Sequence, residues 1–128
     1  MNSNAKTLVV IGGSRGIGAA IVKLGAQNGY RIVLGFHVQR LPAETITRAI
    51  LDKGGDAAAF PVDVTDFASV ESFFDQVVAT YGTPDAVAHC VGVPGPQGAL
   101  IDLSPGSIAG LFTVNLTGVF FCVHAAAR

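Results

Sequence analysis

Cysteine is scarce in this chain: Cys90 and Cys122 are the only two among 128 residues. Both sit in apolar segments without metal-ligand spacing. The expectation is free buried thiols in a reducing, cytoplasmic setting, with neither a metal site nor a disulfide framework. Charge is scarce as well. Eight basic and nine acidic side chains are scattered through the sequence and leave a formal net charge of −1. No basic stripe is present to meet nucleic acid, and no block of like charge marks a solvated tail. Half of the residues are hydrophobic, yet no uninterrupted apolar run reaches the ~20 residues of a membrane span. The opening Met-Asn-Ser-Asn-Ala-Lys leads into a short apolar run ended by glycines, unlike a secretory signal. What these absences leave is one domain over residues 1–128, long enough to bury a core, with no nucleic-acid or membrane partner expected.

What is present is most concentrated in Leu-Val-Val-Ile-Gly-Gly-Ser-Arg-Gly-Ile-Gly, residues 8–18. Leu8 to Ile11 read as a buried parallel strand, and the run stops at Gly12. After Gly16 and Gly18 an amphipathic pattern opens with Ile17, Ile21, Val22 and Leu24, and Lys23 faces away. Strand, glycine turn and helix in that order make an anion site. Glycines let a pyrophosphate approach the backbone without meeting a Cβ, and free N–H groups at the helix start point at its charge.

Strand and helix patterns alternate along the rest of the chain. A helix from Gly16 to Asn28 ends at Asn28-Gly29, and a strand runs from Arg31 to Phe36. Pro42 fits the first turn of a helix reaching Lys53, ended by Gly54-Gly55. A strand from Ala57 to Val62 leads into Asp63-Val64-Thr65-Asp66. Val70, Phe73, Phe74, Val77, Val78 and Tyr81 then form one apolar helical stripe, a packing face. A fourth strand covers Ala86 to Val91, a Gly/Pro-rich loop covers Gly92 to Gly98, and a last helix starts near Pro105–Ser107. This alternation predicts an α/β fold, a Rossmann-like doubly wound parallel sheet of order 3-2-1-4 whose elements run to the fourth strand and the helix after it. The cofactor would lie at the carboxyl ends of strands one and four.

The glycine spacing is Gly-x-x-x-Gly-x-Gly, carried by Gly12, Gly16 and Gly18. In this the chain resembles the short-chain dehydrogenase/reductase family, from about Lys6 to its last residue, with Ile11 where the family usually has Thr. The resemblance implies a nicotinamide dinucleotide site. Its pyrophosphate and phosphate contacts would come from Gly12, Gly13, Ser14, Arg15, Gly16, Ile17 and Gly18. Asp63-Val64 matches the family's Asp-Val pair at the adenine ring, although Asp63, Thr65 or Asp66 can equally cap the helix that follows. His89-Cys90-Val91-Gly92 stands where the family usually has Asn-Asn-Ala-Gly. Gly92 is thus expected at the ribose, and His89 is a cofactor contact with no catalytic role.

Cofactor choice rests on charge. NAD-binding folds place an acidic residue about 20 positions beyond the glycine turn to hold the ribose 2′-hydroxyl, whereas basic residues accommodate a 2′-phosphate. Here that region reads Gly35-Phe36-His37-Val38-Gln39-Arg40. With Arg15 and Arg40 able to reach a phosphate and His37 beside them, NADP(H) is favoured over NAD(H).

Val114-Asn115-Leu116-Thr117-Gly118 resembles the family segment around its active-site Asn, which implies a catalytic part for Asn115 and a local helix irregularity. The family's Ser and Tyr-x-x-x-Lys follow that segment, and neither occurs in this chain: its tyrosines are Tyr30 and Tyr81, and no lysine follows Lys53. The expectation is therefore the cofactor half of a carbonyl–alcohol oxidoreductase acting on a small molecule. The alternative is a non-catalytic NADP(H)-binding sensor or interaction module, and a flavodoxin-like fold without dinucleotide is a further one. With the catalytic half missing, strand four becomes an edge and the last helix keeps an apolar face. Self-association or a homo-oligomer is the expected result.

Overall fold

The computed structural model describes residues 4–128, so the first three residues of the opening hexapeptide lie outside it. The elements are β1 (Thr7–Ile11), α1 (Gly16–Gln27), β2 (Arg31–Phe36), α2 (Arg40–Asp52), β3 (Ala57–Pro61), α3 (Phe67–Tyr81) and β4 (Ala86–His89). After a short 3-10 turn, α4 (Pro105–Phe112) continues through a π-helical turn at Thr113–Thr117 into α5 (Gly118–Ala126). All pairings are parallel and the strand order is β3-β2-β1-β4. This is the expected Rossmann-like sheet.

Alternation along the strands builds two cores. Val9, Ile11 and Val33 point to the side covered by α3 and α5, where they meet Val70, Phe73, Phe74, Val77 and Cys122. Val10, Ile32, Leu34 and Phe36 point to the other side and meet Val22, Ala43 and Ile50 of α1 and α2. A strand with helices on both faces has no solvated side, which is why β1 and β2 are apolar at nearly every position. Each such side chain contributes about 1.5–3 kcal/mol when fully buried.

Several boundaries differ from the sequence reading. α2 runs from Arg40 to Asp52, one residue short of Lys53, with Pro42 in its first turn as the sequence reading placed it. β4 ends at His89 instead of Val91, and β3 at Pro61 instead of Val62, because the chain turns out of the sheet where the carboxyl-end cleft opens. Helix capping falls to Asp66, whose carboxylate accepts from the Ala68 N–H at the start of α3. Ser104 does the same for α4 by accepting from the Ser107 N–H.

The last helical stretch adds a feature that a count of apolar runs does not reveal. Joined through the π turn, Pro105–Ala126 is 22 residues that are long and apolar enough, by length and composition, to cross a bilayer. The sequence reading counted uninterrupted apolar runs, and scattered Ser, Thr and Asn residues break those. Only a narrow inner stripe is buried in the domain: Gly118, Cys122 and Ala125. Phe121 is partly buried and packs on Phe67 at 5.2 Å between ring centroids. Phe112, Leu116, Phe120 and Val123 are exposed, and so is Val87 on β4. β4 pairs only with β1 among the described residues, so it is the edge strand that was expected.

A polar cluster closes the amino end of the sheet. The Tyr81 hydroxyl donates to the Asp56 carboxylate, and the Arg31 guanidinium lies over the Tyr81 ring at 5.3 Å. Burial first, then the Asp56 hydrogen bond and charge, push the Tyr81 phenol far above its ordinary value of 10.0. The folded protein therefore holds this proton longer than the unfolded chain. Its stabilisation is complete below pH ~10 and is lost as pH climbs beyond that. Tyr81→Phe should cost about 1 kcal/mol at neutral pH, and should remove this share of the alkaline loss. Urea unfolding at pH 7 and above pH 10 reads both effects, and a variant with wild-type midpoints at both would refute the account.

Candidate functional site

At the carboxyl ends of all four strands lies a cleft of about 530 Å³. Its position follows from the strand order, because β1 connects to β2 on one side and β4 lies on the other. The connections leave in opposite directions and a crevice opens between them.

The floor is the β1–α1 turn. Gly12 adopts φ +81, and both the Gly12 and Gly13 N–H groups donate to the Gly35 carbonyl, at 2.9 and 3.3 Å. Those two donors are thereby committed to the fold. A Cβ on Gly12 would stand 2.8 Å from the Cys90 carbonyl oxygen, and one on Gly18 would stand 2.1 Å from the Gly12 carbonyl oxygen. The start of α1 is thus pressed onto the turn with no room for a side chain. Gly16 has open space around it but φ +57, a left-handed conformation in which glycine avoids the Cβ clash. No side chain caps the first turn of α1. Its N–H groups are left to face the cleft, with Ser14, Arg15 and Ile17 lining the same wall.

Gly13 has a different job from the one expected. It does not line the cleft, and a Cβ there would meet Leu34 at 2.9 Å and Val22 at 3.0 Å, inside the α1–α2 core. It is a packing glycine.

The far wall comes from the ends of β2 and β3. His37, Val38 and Gln39 line it together with Asp63, Val64 and Thr65. The Asp63 carboxylate accepts from both the Thr65 hydroxyl, at 2.7 Å, and the Thr65 N–H, at 3.0 Å. These bonds hold its pKa below 3.8 against partial desolvation, with His37 adding to the effect. The His37 Nε2 lies 3.7 Å from an Asp63 oxygen. The Asp63 N–H donates to the Ser69 hydroxyl of α3, which fixes the turn. Val64 is clamped by Gly118 of α5, where a Cβ would stand 2.9 Å from it. Arg40 lies off the cleft: its guanidinium rests over the Phe36 ring at 5.6 Å and pairs with Glu44 at 3.5 Å, one turn along α2.

The third wall is the segment after β4. Cys90, Val91, Gly92 and Val93 line it. His89 does not. It is in register with Ile11, so its side chain points to the α3–α5 face and away from the cleft. Its Nε2 is buried with no hydrogen-bond partner, and burial lowers its pKa, favouring the neutral imidazole. Asn115 stands in the π-helical turn, the helix irregularity that the resemblance implied. Its side chain is exposed, yet both amide atoms are engaged. Oδ1 accepts from the Val93 N–H and Nδ2 donates to the Val93 carbonyl, each at 2.8 Å. This two-pronged bond ties the loop beyond β4 to the last helix, and Asn115 does not itself line the cleft.

Among the lining residues that sequence reasoning missed are Gln39, Thr65, Val62 and Cys90. Each lies within two residues of a position it did single out, and the carboxyl end of a strand was the available signal.

The profile of the short chain dehydrogenase family matches residues 6–128. Versicolorin reductase stcU from Emericella nidulans is 34% identical over 125 residues, which cover 98% of this chain and 47% of that protein. A short-chain dehydrogenase/reductase from Serratia marcescens superimposes with a TM-score of 0.90 at 32% identity, over 96% of this chain and 50% of that one. A short chain dehydrogenase from Burkholderia cenocepacia, solved in complex with NADP, gives 0.88 at 32% identity over the same shares. The chain spans about half the length of the relatives it matches. From the glycine turn to the π-helical turn, in sequence and in fold, this chain belongs to the short-chain dehydrogenase/reductase family.

Proposed function

We propose that this chain forms the NADP(H)-binding part of an oxidoreductase that moves hydride between a nicotinamide cofactor and the carbonyl or alcohol carbon of a small molecule. The observation that carries the reading is the convergence, in one cleft, of the uncapped α1 N-terminus, Arg15 and a β2 end without a carboxylate. The close packing at Gly12 and Gly18 seats the uncapped start of α1 at the cleft, and its free N–H groups suit a pyrophosphate. The cofactor, when bound, supplies the hydride carrier. The chain's own part is binding and orientation. The α1 N–H groups and Ser14 take the pyrophosphate, Arg15 and His37 the 2′-phosphate, Asp63 and Val64 the adenine, and Gly92 the ribose. Asn115 takes part in catalysis by the family resemblance, and its hold on Val93 supports a positioning role.

A second reading, a non-catalytic NADP(H)-binding module, is favoured by one observation. Tyr30 precedes β2, and Tyr81 precedes β4 and bonds Asp56 ahead of β3. Both tyrosines therefore stand at the amino ends of the strands, opposite the cleft, and neither can protonate an oxyanion formed there. NADPH consumption by this chain against a panel of aldehydes and ketones tests the second reading, and turnover removes it. The free thiols Cys90 and Cys122 support a cytoplasmic setting.

The partner proposed beyond substrate is a second copy of the chain, docked through the apolar face of Pro105–Ala126. Covering such a face is worth about 25 cal/mol per Å² before association costs. Phe120 is 66% exposed, whereas Phe121 packs on Phe67. Phe120→Ser should therefore shift sedimentation at micromolar concentration toward monomer while leaving the unfolding midpoint nearly unchanged. Phe121→Ser should lower stability by about 2 kcal/mol. A wild-type chain that sediments as a monomer would overturn this partner.

A further inference from the structure

α1 and α2 lie side by side on one face of the sheet and run in the same direction, because each returns from the end of one strand to the start of the next. Between them is a second groove of about 530 Å³, which shares no residue with the cofactor cleft. The helices leave it open because the facing side chains are short: Ala19 and Ala26 on α1, Ala49 on α2. Buried Ile50 and half-buried Ile46 give it an apolar floor. At its end Gly55 is pressed against Ile50, where a Cβ would stand 2.7 Å from the Ile50 Cγ2. From Ala19 to Gln27 the groove follows α1 for about 12 Å, the length of a medium acyl chain.

The rim is cationic. Lys23 and Lys53, both exposed, line the groove with Gln27, and no carboxylate does. Among the described residues neither ammonium is in an ion pair. The last carbonyls of the two helices are already bonded: the Gly29 and Tyr30 N–H groups donate to Ala26 and Gly25, and those of Gly54 and Gly55 to Leu51 and Ile50. Backbone donors thereby cover the negative helix ends, and the lysines remain for another acceptor. The carboxylates nearest in sequence, Asp52 beside Lys53 and Asp56 beside Gly55, lie off the lining, and Asp56 accepts from Tyr81. We propose that this groove binds a single-chain carboxylate amphiphile of the fatty-acid class, its chain lying between α1 and α2 and its carboxylate held at the lysine rim. Charge complementarity selects an anionic head, the apolar floor selects a hydrocarbon body, and the volume falls in the range of small-ligand sites.

The experiment titrates the full chain, labelled at its alanine and isoleucine methyls, with monomeric decanoate and separately with decanol. Decanoate should shift the Ala19, Ala26, Ile46 and Ala49 methyl resonances first. Octanoate should bind about fourfold more weakly than decanoate, about twofold for each half-buried methylene. The double variant Lys23→Gln, Lys53→Gln should weaken decanoate about fivefold, the worth of two exposed ion pairs. It should leave decanol binding and NADPH affinity unchanged. Ala49→Phe, which fills the groove, should remove decanoate binding. An unchanged decanoate affinity in the double variant, shifts confined to the Pro105–Ala126 methyls, or no response of the groove methyls would each overturn the proposal and leave the cofactor reading untouched. Groove shifts on adding vesicles of anionic lipid, with none from monomeric decanoate, would overturn it in favour of a membrane surface.

Discussion

Gly18→Ala should abolish measurable NADPH binding and destabilise the domain by about 1–3 kcal/mol. The added methyl carbon would stand 2.1 Å from the Gly12 carbonyl oxygen and 2.8 Å from its carbon. Both are backbone atoms, and no side chain can swing aside to relieve them. Either α1 backs away from β1 or the glycine turn distorts. In both cases the first-turn N–H groups move relative to the cleft, and misplacing anion donors by about 1 Å is costly in binding. Gly16→Ala isolates the conformational part of the argument. Nothing lies within 4 Å of a Cβ there, but φ is +57. It should cost about 1–2 kcal/mol in stability, with binding weakened rather than lost. Urea unfolding read beside calorimetric titration distinguishes the two variants. A Gly18→Ala protein with the wild-type NADPH affinity would refute the close-packed cradle.

Arg15→Ala should narrow the preference for NADPH over NADH by about 1.5 kcal/mol, roughly tenfold in relative affinity. Arg40→Ala should change it by much less. From sequence the two arginines are equivalent candidates for the 2′-phosphate, and the fold separates them. Arg15 lines the cleft beside the α1 N-terminus. Arg40 begins α2, rests on Phe36 and pairs with Glu44. To reach a phosphate it must leave an aromatic face and an ion pair, which offsets much of what it would gain. NADPH and NADH dissociation constants for both variants provide the test. Equal affinity of the unmodified chain for the two cofactors would remove the phosphate role of Arg15. A larger effect at Arg40 than at Arg15 would show that α2 rearranges on binding.

The sequence by itself determined the features that depend on neighbours along the chain. Leu8 to Ile11 could only be a strand buried on both faces, and the Gly12, Gly16 and Gly18 spacing marked a turn against a helix start. The stripe from Val70 to Tyr81 specified which face of α3 is inside, and the strand–helix alternation implied the 3-2-1-4 sheet. These are properties of period and backbone conformation, and each is written within about 20 residues. Tertiary structure decided the rest, because register and crossover bring together residues that no local pattern connects. The pairing of Ile11 with His89 turned that imidazole under the last helix and away from the cleft. The seating of α1 on β2 made Gly13 a contact for Leu34 and Val22 rather than for a ligand. Asn115 found both of its partners on Val93, 22 residues earlier, because the final helix passes over the loop beyond β4. His37 and Asp63 met because β2 and β3 end side by side. A side chain's type is set by the gene, but the group it faces is set by how the strands align, and the chemistry of this cleft depends on that alignment.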